Sequence, residues 1–296
     1  MNASGPAPLA AMETASRDID AMQEDIGVLQ GTVVRADLRQ VGSPLSLGFW
    51  RYFWSLLKAK ATGLYSRSHY RMCIQKIGWT RYLPVETGNN PQLRDRAKRL
   101  YEQFYKALAS GDATPIQDLC LPPILRRLDI RIASRGPITM TWNVQTWKSA
   151  RVVSHRASAQ SEDVAPDTAY RQVVIRLETV QVLSIQPTNA PTKAPRSSTS
   201  SARGVPRWVP DGAPDAKAAR VVEAQSSDVE QLPFVDNGVP RTVVEYLVMQ
   251  RRVVRGVEEN WKIWGFMQPS TPASLKVDES YWRKTLDANL AMSRSR

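Results

Sequence analysis

Between Asp37 and Glu86 the chain carries no acidic residue. In the same interval it places Arg39, Arg51, Lys58, Lys60, Arg67, Arg71, Lys76 and Arg81 among Phe49, Trp50, Tyr52, Phe53, Trp54, Tyr65, Tyr70, Trp79 and Tyr82. Nine aromatics stand here, against 9 Trp, 9 Tyr and 5 Phe in the whole chain, so the interval is enriched. Lysine and arginine neutralise phosphates, and interleaved tyrosine and tryptophan stack on unpaired bases. Arg51, Lys58, Lys60, Arg67, Arg71, Lys76 and Arg81 are therefore expected to contact RNA. No RNP, KH or zinc-knuckle signature accompanies them, so recognition would read shape and charge. The plainer alternative is a solvated basic face.

The stretch PLSLGFWRYFWSLL, ending at Leu57, has a second use. Written as a helix it is apolar nearly all round, with Arg51 and Ser55 as exceptions, and it is too short to span a bilayer. Aromatic rings settle at the headgroup level while neighbouring cations meet anionic lipid. Phe49, Trp50, Phe53 and Trp54, beside Lys58 and Lys60, are the expected membrane contacts. The alternative is that this segment packs against its own domain or a protein neighbour.

A third basic set is Arg126, Arg127, Arg131 and Arg135. At helical spacing 127, 131 and 135 share a face, which makes Arg127 and Arg131 further RNA candidates or members of an ordinary solvated face. Arg251, Arg252 and Arg255 carry the same ambiguity. Material for catalysis is thin. The histidines are His69 and His155, and the cysteines Cys73 and Cys120, with no CxxC or Cys/His ligand spacing. Phosphate-binding glycine loops and nucleophile motifs are absent from the sequence. Asp129, Glu178 and Glu245 are the carboxylates near core elements, and no two form a defensible acid–base pair. The expectation is no enzyme, no cofactor and no metal.

These residues sit in a chain of 296 residues with a formal net charge of +12, from 40 basic and 28 acidic side chains. Such a surface repels itself, and nucleic acid or anionic lipid relieves that repulsion. Residues 1–44 read as a polar arm, with an expected helix over Thr14–Leu29 whose stripe of Ile19, Met22, Ile26 and Leu29 needs a partner surface. The first residues are not a secretory signal and lack the acid-poor character of a transit peptide. Residues 45–90 form the basic aromatic segment. Residues 91–269 read as one domain. PQLRDRAKRLYEQFYKALASGD is a helix stopped by Gly111, and short helices follow near Ala113–Leu119 and Leu121–Arg131. Strands follow in MTWNVQTWKSARVVSHRAS and AYRQVVIRLETVQVLSIQ. Residues 187–240 are a Pro/Ser-rich insertion. PRTVVEYLVMQRRVVRG and ENWKIWGFMQP then make a hairpin about Gly256. A tail, 270–296, is expected to carry a helix over Tyr281–Met292. The expected class is α+β, with helices packed on a curved, mainly antiparallel, cone-like sheet and an extended N-terminal arm.

The order of LYEQFYKALASGD, IQDLC, the strands, VVEYLVMQRRVV and NWKIWGF resembles a known domain. It is shared by the import-motor anchor of the mitochondrial inner membrane and the mitochondrial ribosome-receptor proteins, within the cone-shaped fold of nuclear transport factor 2. The resemblance covers about 91–269 without the insertion. Its most telling part is Glu245–Gln250 followed by Glu259–Gly265. The basic aromatic segment before the domain is more similar to the ribosome-receptor branch. That implies a matrix protein peripheral to the inner membrane. Its partners would be large-subunit rRNA, neighbouring ribosomal proteins and the membrane surface or insertase. The import-motor anchor is the alternative that the resemblance leaves open.

Overall fold

The computed structural model describes residues 24–43, 45–75, 78–86, 90–135, 138–160, 166–187 and 238–294. The expected helix over Thr14–Leu29 falls partly outside them; Glu24–Leu29, which are described, are not helical. The insertion, apart from its two ends, and Lys76 also lie outside. The elements are α1 (Leu38–Val41), α2 (Leu47–Gln75), α3 (Pro91–Ser110), α4 (Pro122–Ser134), β1 (Ile138–Ala159), β2 (Ala169–Pro187), β3 (Arg241–Val254), β4 (Val257–Glu258), β5 (Lys262–Met267) and α5 (Pro272–Arg294). Short 3-10 helices occupy Trp79–Tyr82 and Thr114–Leu119. The class is α+β, with helices against a five-stranded sheet whose neighbours all pair antiparallel.

β1, β2 and β3 lie side by side, and β4 and β5 both pair with β3. Three register shifts interrupt β1 against β2, between Val144/Thr146, Trp147/Ser149 and Val152/Ser154. Each bulge bends and twists a strand, so β1 curves across the helices. On the inner face, α3 lays Leu93, Ala97, Leu100, Tyr101 and Phe104 against Val173, Ile175 and Leu177 of β2 and Leu247 and Met249 of β3. That helix starts where Asn90 accepts a bond from the Gln92 amide, with Pro91 in the first turn. It stops at Gly111, whose φ of 81° suits a residue without a Cβ.

Part of the outer face of the sheet is covered too. Residues 24–36 run across it as a strap. Lys262 pairs with Glu24 at 3.3 Å, the Trp264 indole donates to Asp25 at 2.6 Å, and the Leu29 amide donates to Gln172 at 2.8 Å. After a turn at Leu29–Thr32, Val34 packs on Val174 and Val248. This explains why Val173, Val174 and Ile175 are consecutive and all buried: a strand covered on both faces loses the polar half of its alternation. This part of the arm finds its partner surface on the chain's own sheet.

α2 closes the β1 edge. Its inner stripe includes the buried Tyr52, Gly63, Arg67 and Tyr70. The Tyr52 hydroxyl accepts from the Ala36 amide at 2.7 Å, and Ser66 accepts from the Ala157 amide at 3.4 Å. At the opposite edge, the Leu121 amide donates to the Ile263 carbonyl at 2.9 Å. Each edge of the sheet is thereby met along part of its length by the chain itself. Gly63 sets how near α2 comes, because a Cβ there would lie 3.1 Å from the His155 carbonyl oxygen.

Where α2 ends, β1, β2, β3 and β4 meet around Arg171, which is fully buried. Its guanidinium pairs with Glu86 at 2.8 Å and Glu258 at 3.1 Å, and lies over the Tyr70 and Trp261 rings. Arg251 pairs with Glu258 at 2.5 Å. Arg67 spends its guanidinium on the carbonyls of Gly63, Val85 and Glu86. The His155 Nε2 stands 3.3 Å from Arg171 Nη2. Arginine has only donors, so Nε2 accepts and the imidazole is neutral. Burial pushes the His155 pKa well below its usual value, and the charges of Arg171, Arg67 and Arg251 push it the same way.

Two outcomes follow from this packing. Gly63→Leu forces α2 away from β1 and lowers stability by about 1–3 kcal/mol, read as a lower denaturant midpoint at unchanged slope. His155 binds its proton more readily in the unfolded chain than in the folded one. Its contribution is therefore fully present above the unfolded value of about 6.5 and is lost as pH falls below it. Melting temperatures from pH 8 to 5.5 should fall below about 6.5, and His155→Gln should flatten that fall. Equal slopes for both proteins would contradict a neutral His155.

Candidate functional site

α2 is a helix of 29 residues, and its rise of about 1.5 Å per residue makes it a long rod lying against β1. An ordinary surface helix hides its apolar stripe and shows polar residues to water. α2 instead has an inner stripe against the sheet and a second apolar set outside. Trp50 is 59% exposed, Trp54 66% and Phe53 52%, with Leu47, Leu57, Leu64 and Tyr65 also exposed. Phe49 is half-buried and packs toward Ala36, Val41 and Tyr52, with Leu275 of α5 on the same cluster. The rings of Phe49, Trp50 and Phe53 meet edge to face, at 6.0 and 6.3 Å between centroids. Arg51, Lys58 and Lys60 are exposed on the same helix. The face thus sets three cations beside three large exposed rings, the composition that suits phosphate-bearing surfaces.

The remaining candidates divide. Arg67 is a correction: it is buried, and its donors are used by three backbone carbonyls, so it holds the 85–86 segment to α2 and does not face a phosphate. Arg71 is half-buried and reaches toward the Leu83 carbonyl at 3.5 Å. Lys76 lies outside the described residues, and of Arg81 only the place in the 3-10 turn is described. Arg127 is exposed on α4. The shared face of Arg127, Arg131 and Arg135 does not work as one basic surface. Arg135 donates to the Leu108 and Ala109 carbonyls at the end of α3, and Arg131 is half-buried with Tyr105 and Glu245 near its charge. Arg251 belongs to the Arg171 cluster, and Arg252 pairs with Glu259 at 2.8 Å.

Of the three candidate carboxylates only Glu245 lies inside. Tyr101 and Tyr105 donate to its two oxygens at 2.5 and 2.7 Å. Tyr105 stacks on Trp142 at 4.9 Å, and the Trp142 indole donates to Gln181 at 2.7 Å. Burial pushes the Glu245 carboxyl above its usual range, while the two tyrosines and Arg131 push it back. Burial, and then the Glu245 charge, raise both tyrosines, so they stay protonated donors. Asp129 is exposed, and Glu178 pairs with Arg176 at 2.8 Å. A general base needs a lone pair free for substrate; here each oxygen of Glu245 already holds a phenol. Burial also pushes the Cys120 thiol up to about 12, which keeps it inert at neutral pH. Among the described residues no group of His, Cys, Asp and Glu is placed to hold a metal ion, and no helix is long and apolar enough to cross a membrane.

A second basic place was not anticipated from the sequence. Arg94 and Lys98 of α3 and Trp147, Lys148 and Arg151 of β1 line an open groove of about 310 Å³ over the β1 edge, with the Lys148 ammonium turned to Thr242 of β3 at 2.8 Å. These cations come from segments far apart in sequence, and the bulge between Trp147 and Ser149 aims that part of β1. The single available signal was the run Trp147–Lys148 within a strand.

No family model matches the chain, and no curated protein matches it. Among solved structures it is similar to the crystal structure of the intermembrane space region of chloroplast protein ARC6. The identity is 11%, over 59% of this chain and 94% of that one, with a TM-score of 0.27. A likeness so slight bears on no functional argument.

Glu245 supplies a pH test of the interior. Its folded pKa is raised, so its contribution is present below the unfolded value of about 4.3 and is lost as pH rises through the folded value. Glu245→Gln should therefore gain on the parent protein in melting temperature between pH 4 and pH 7. A difference that does not change with pH would mean that burial does not raise the Glu245 carboxyl above its usual range.

Proposed function

We propose that the chain is a non-catalytic component or receptor of the mitochondrial large ribosomal subunit. It would sit in the matrix, peripheral to the inner membrane, and position the polypeptide exit for co-translational insertion. The observation that carries this reading is the outer face of α2. Trp50, Phe53 and Trp54 stand exposed beside Arg51, Lys58 and Lys60, in an interval with no acid between Asp37 and Glu86. The resemblance of 91–269 to the ribosome-receptor domain names the kind of partner. Large-subunit rRNA, neighbouring ribosomal proteins and the membrane surface or insertase are the partners it implies.

The mechanism is positioning. The sheet and the Arg171 cluster hold the inner stripe of α2, so its outer face is presented as a rigid rod. Exposed cations meet rRNA phosphates or lipid headgroups, and the aromatic ridge enters the interface. A fixed short path from tunnel to membrane limits the exposure of apolar nascent segments. No bond is made or broken, and no cofactor is needed.

Sedimentation of tagged protein from detergent-solubilised mitochondria tests this at low and high salt. Co-migration with the large subunit at both salts identifies a permanent subunit, and at low salt alone a receptor held by phosphate contacts. Absence at both, with co-purification of the import channel, would replace this reading by the import-motor one. Trp50→Ala with Trp54→Ala should change folding stability by no more than about 0.5 kcal/mol, since both rings are exposed. The same pair should weaken binding to vesicles containing anionic lipid several-fold in a flotation assay.

A further inference from the structure

The outer side of α2 does not end with its aromatic ridge. On a helix of about 3.6 residues per turn, Leu57, Ala61, Leu64, Tyr65 and Met72 fall within about 100° of the circumference. All five are exposed, on the side opposite the buried Gly63, Arg67 and Tyr70. Trp50, Trp54, Leu57, Ala61 and Leu64 follow one another at alternating steps of four and three, the period of a coiled-coil seam. The small Ala61 leaves a hole between Leu57 and Leu64 that a partner's side chain fills. The segment after α2 widens this surface. Arg71 reaches toward the Leu83 carbonyl at 3.5 Å, and Arg67 bonds the Val85 and Glu86 carbonyls, so that segment lies beside the end of the helix. Trp79, Tyr82 and Leu83 are exposed there. An apolar surface shared by two adjoining elements marks a contact site. Lys58 and Lys60 are exposed and border the seam on either side, and no acid stands between Asp37 and Glu86.

We propose that this half of α2 takes one amphipathic helix of a partner protein, apolar along its own seam and acidic on both flanks. It rests on the reading of α2 as the docking face and divides that face in two. The rings of Trp50, Phe53 and Trp54 remain for lipid or rRNA, and the seam from Leu57 onward meets the helix. A row at steps of three and four matches the side-chain rows of another helix, whereas a bilayer has no period to match. The aliphatic Leu57, Leu64 and Met72 offer no ring on which a base could stack. The rings and cations that suit headgroups stand together in the first half of α2 instead. Lys58 and Lys60 set the sign of the partner, because glutamates opposite them pair and lysines repel. A second copy of α2 would bring the same cations and no acid to the seam, so self-pairing is disfavoured.

The test is fluorescence anisotropy of a labelled, stapled two-heptad helix with the full chain. The probe carries leucine at a and d and glutamate at e and g, and its counterpart carries lysine at e and g. The parent chain should bind the glutamate helix roughly tenfold more tightly than the lysine helix. Leu57→Ser/Leu64→Ser, at exposed positions, should weaken the glutamate helix roughly tenfold and leave flotation with anionic vesicles unchanged. Trp50→Ala/Trp54→Ala should do the reverse. Lys58→Glu/Lys60→Glu should invert the preference between the two helices, a result that loss of folding does not mimic. A parent chain that binds neither helix, or both equally, would overturn the proposal. So would seam variants that keep the glutamate helix and lose anionic vesicles or a mixed-sequence RNA instead. A chain that binds the glutamate helix through the seam yet never sediments with ribosomes would sink the ribosomal reading and leave the seam standing.

Discussion

Arg171 is the constraint on which the rest of the structure depends. Burying a guanidinium completely is costly unless its charge and its donors are met. Here Glu86 and Glu258 meet the charge, His155 accepts a further bond, and Tyr70 and Trp261 cover the planar faces. Those partners come from the segment after α2, from β4, from β1, from α2 itself and from the loop before β5. One buried cation therefore fixes where five pieces of chain converge. With Arg67 and Arg251 the cluster holds three arginines against two glutamates; burial first, and then these charges, keep the imidazole beside them neutral.

That convergence gives α2 its character. Its inner stripe cannot leave the sheet without opening the cluster at one end and the Tyr52–Ala36 bond at the other. The helix is therefore anchored at both ends, and the apolar residues on its outer face are not spare core. An exposed aromatic ridge with interspersed cations is unfavourable in water unless something covers it. The strap covers part of the sheet in turn: Glu24, Asp25 and Val34 lie on its outer face around Val174, Val248 and Trp264. Among the described residues the outer face of α2 sets exposed aromatic rings beside cations and stands open to a partner.

Much of the fold was legible because it rests on local patterns. The periodicity of Leu93, Ala97, Leu100 and Phe104 with Gly111 after it specifies α3, and the Val/Ile/Thr runs with Gly256 between them specify β3 and its hairpin. The class and the antiparallel sheet follow from their order. The strap was not legible, because Thr32, Val34 and Ala36 alternate over too short a stretch and the contacts before them, at Glu24, Asp25 and Leu29, are polar or backbone ones that leave no period. α5 was foreseen only over its second half; Thr271, whose hydroxyl accepts from the Ser274 amide, starts it earlier. Arg67 was misplaced for a related reason. An arginine in an acid-free interval looks solvated until Val85 and Glu86 are brought beside it. Yet Arg171 shares its strand parity with Val173, Ile175 and Leu177, and that was a readable sign of a buried charge. The groove at Trp147 depends on a β-bulge and on α3 crossing β1, neither of which a linear pattern encodes.

The most direct measurement places a photo-reactive benzoylphenylalanine at Trp54, on the outer face of α2, and at Ala59, on its inner side, and irradiates intact mitochondria. The account predicts that position 54 cross-links to large-subunit rRNA, to its proteins or to inner-membrane lipid, while position 59 cross-links within the chain. Cross-links from position 54 confined to the chain itself, or to the import channel, would contradict it.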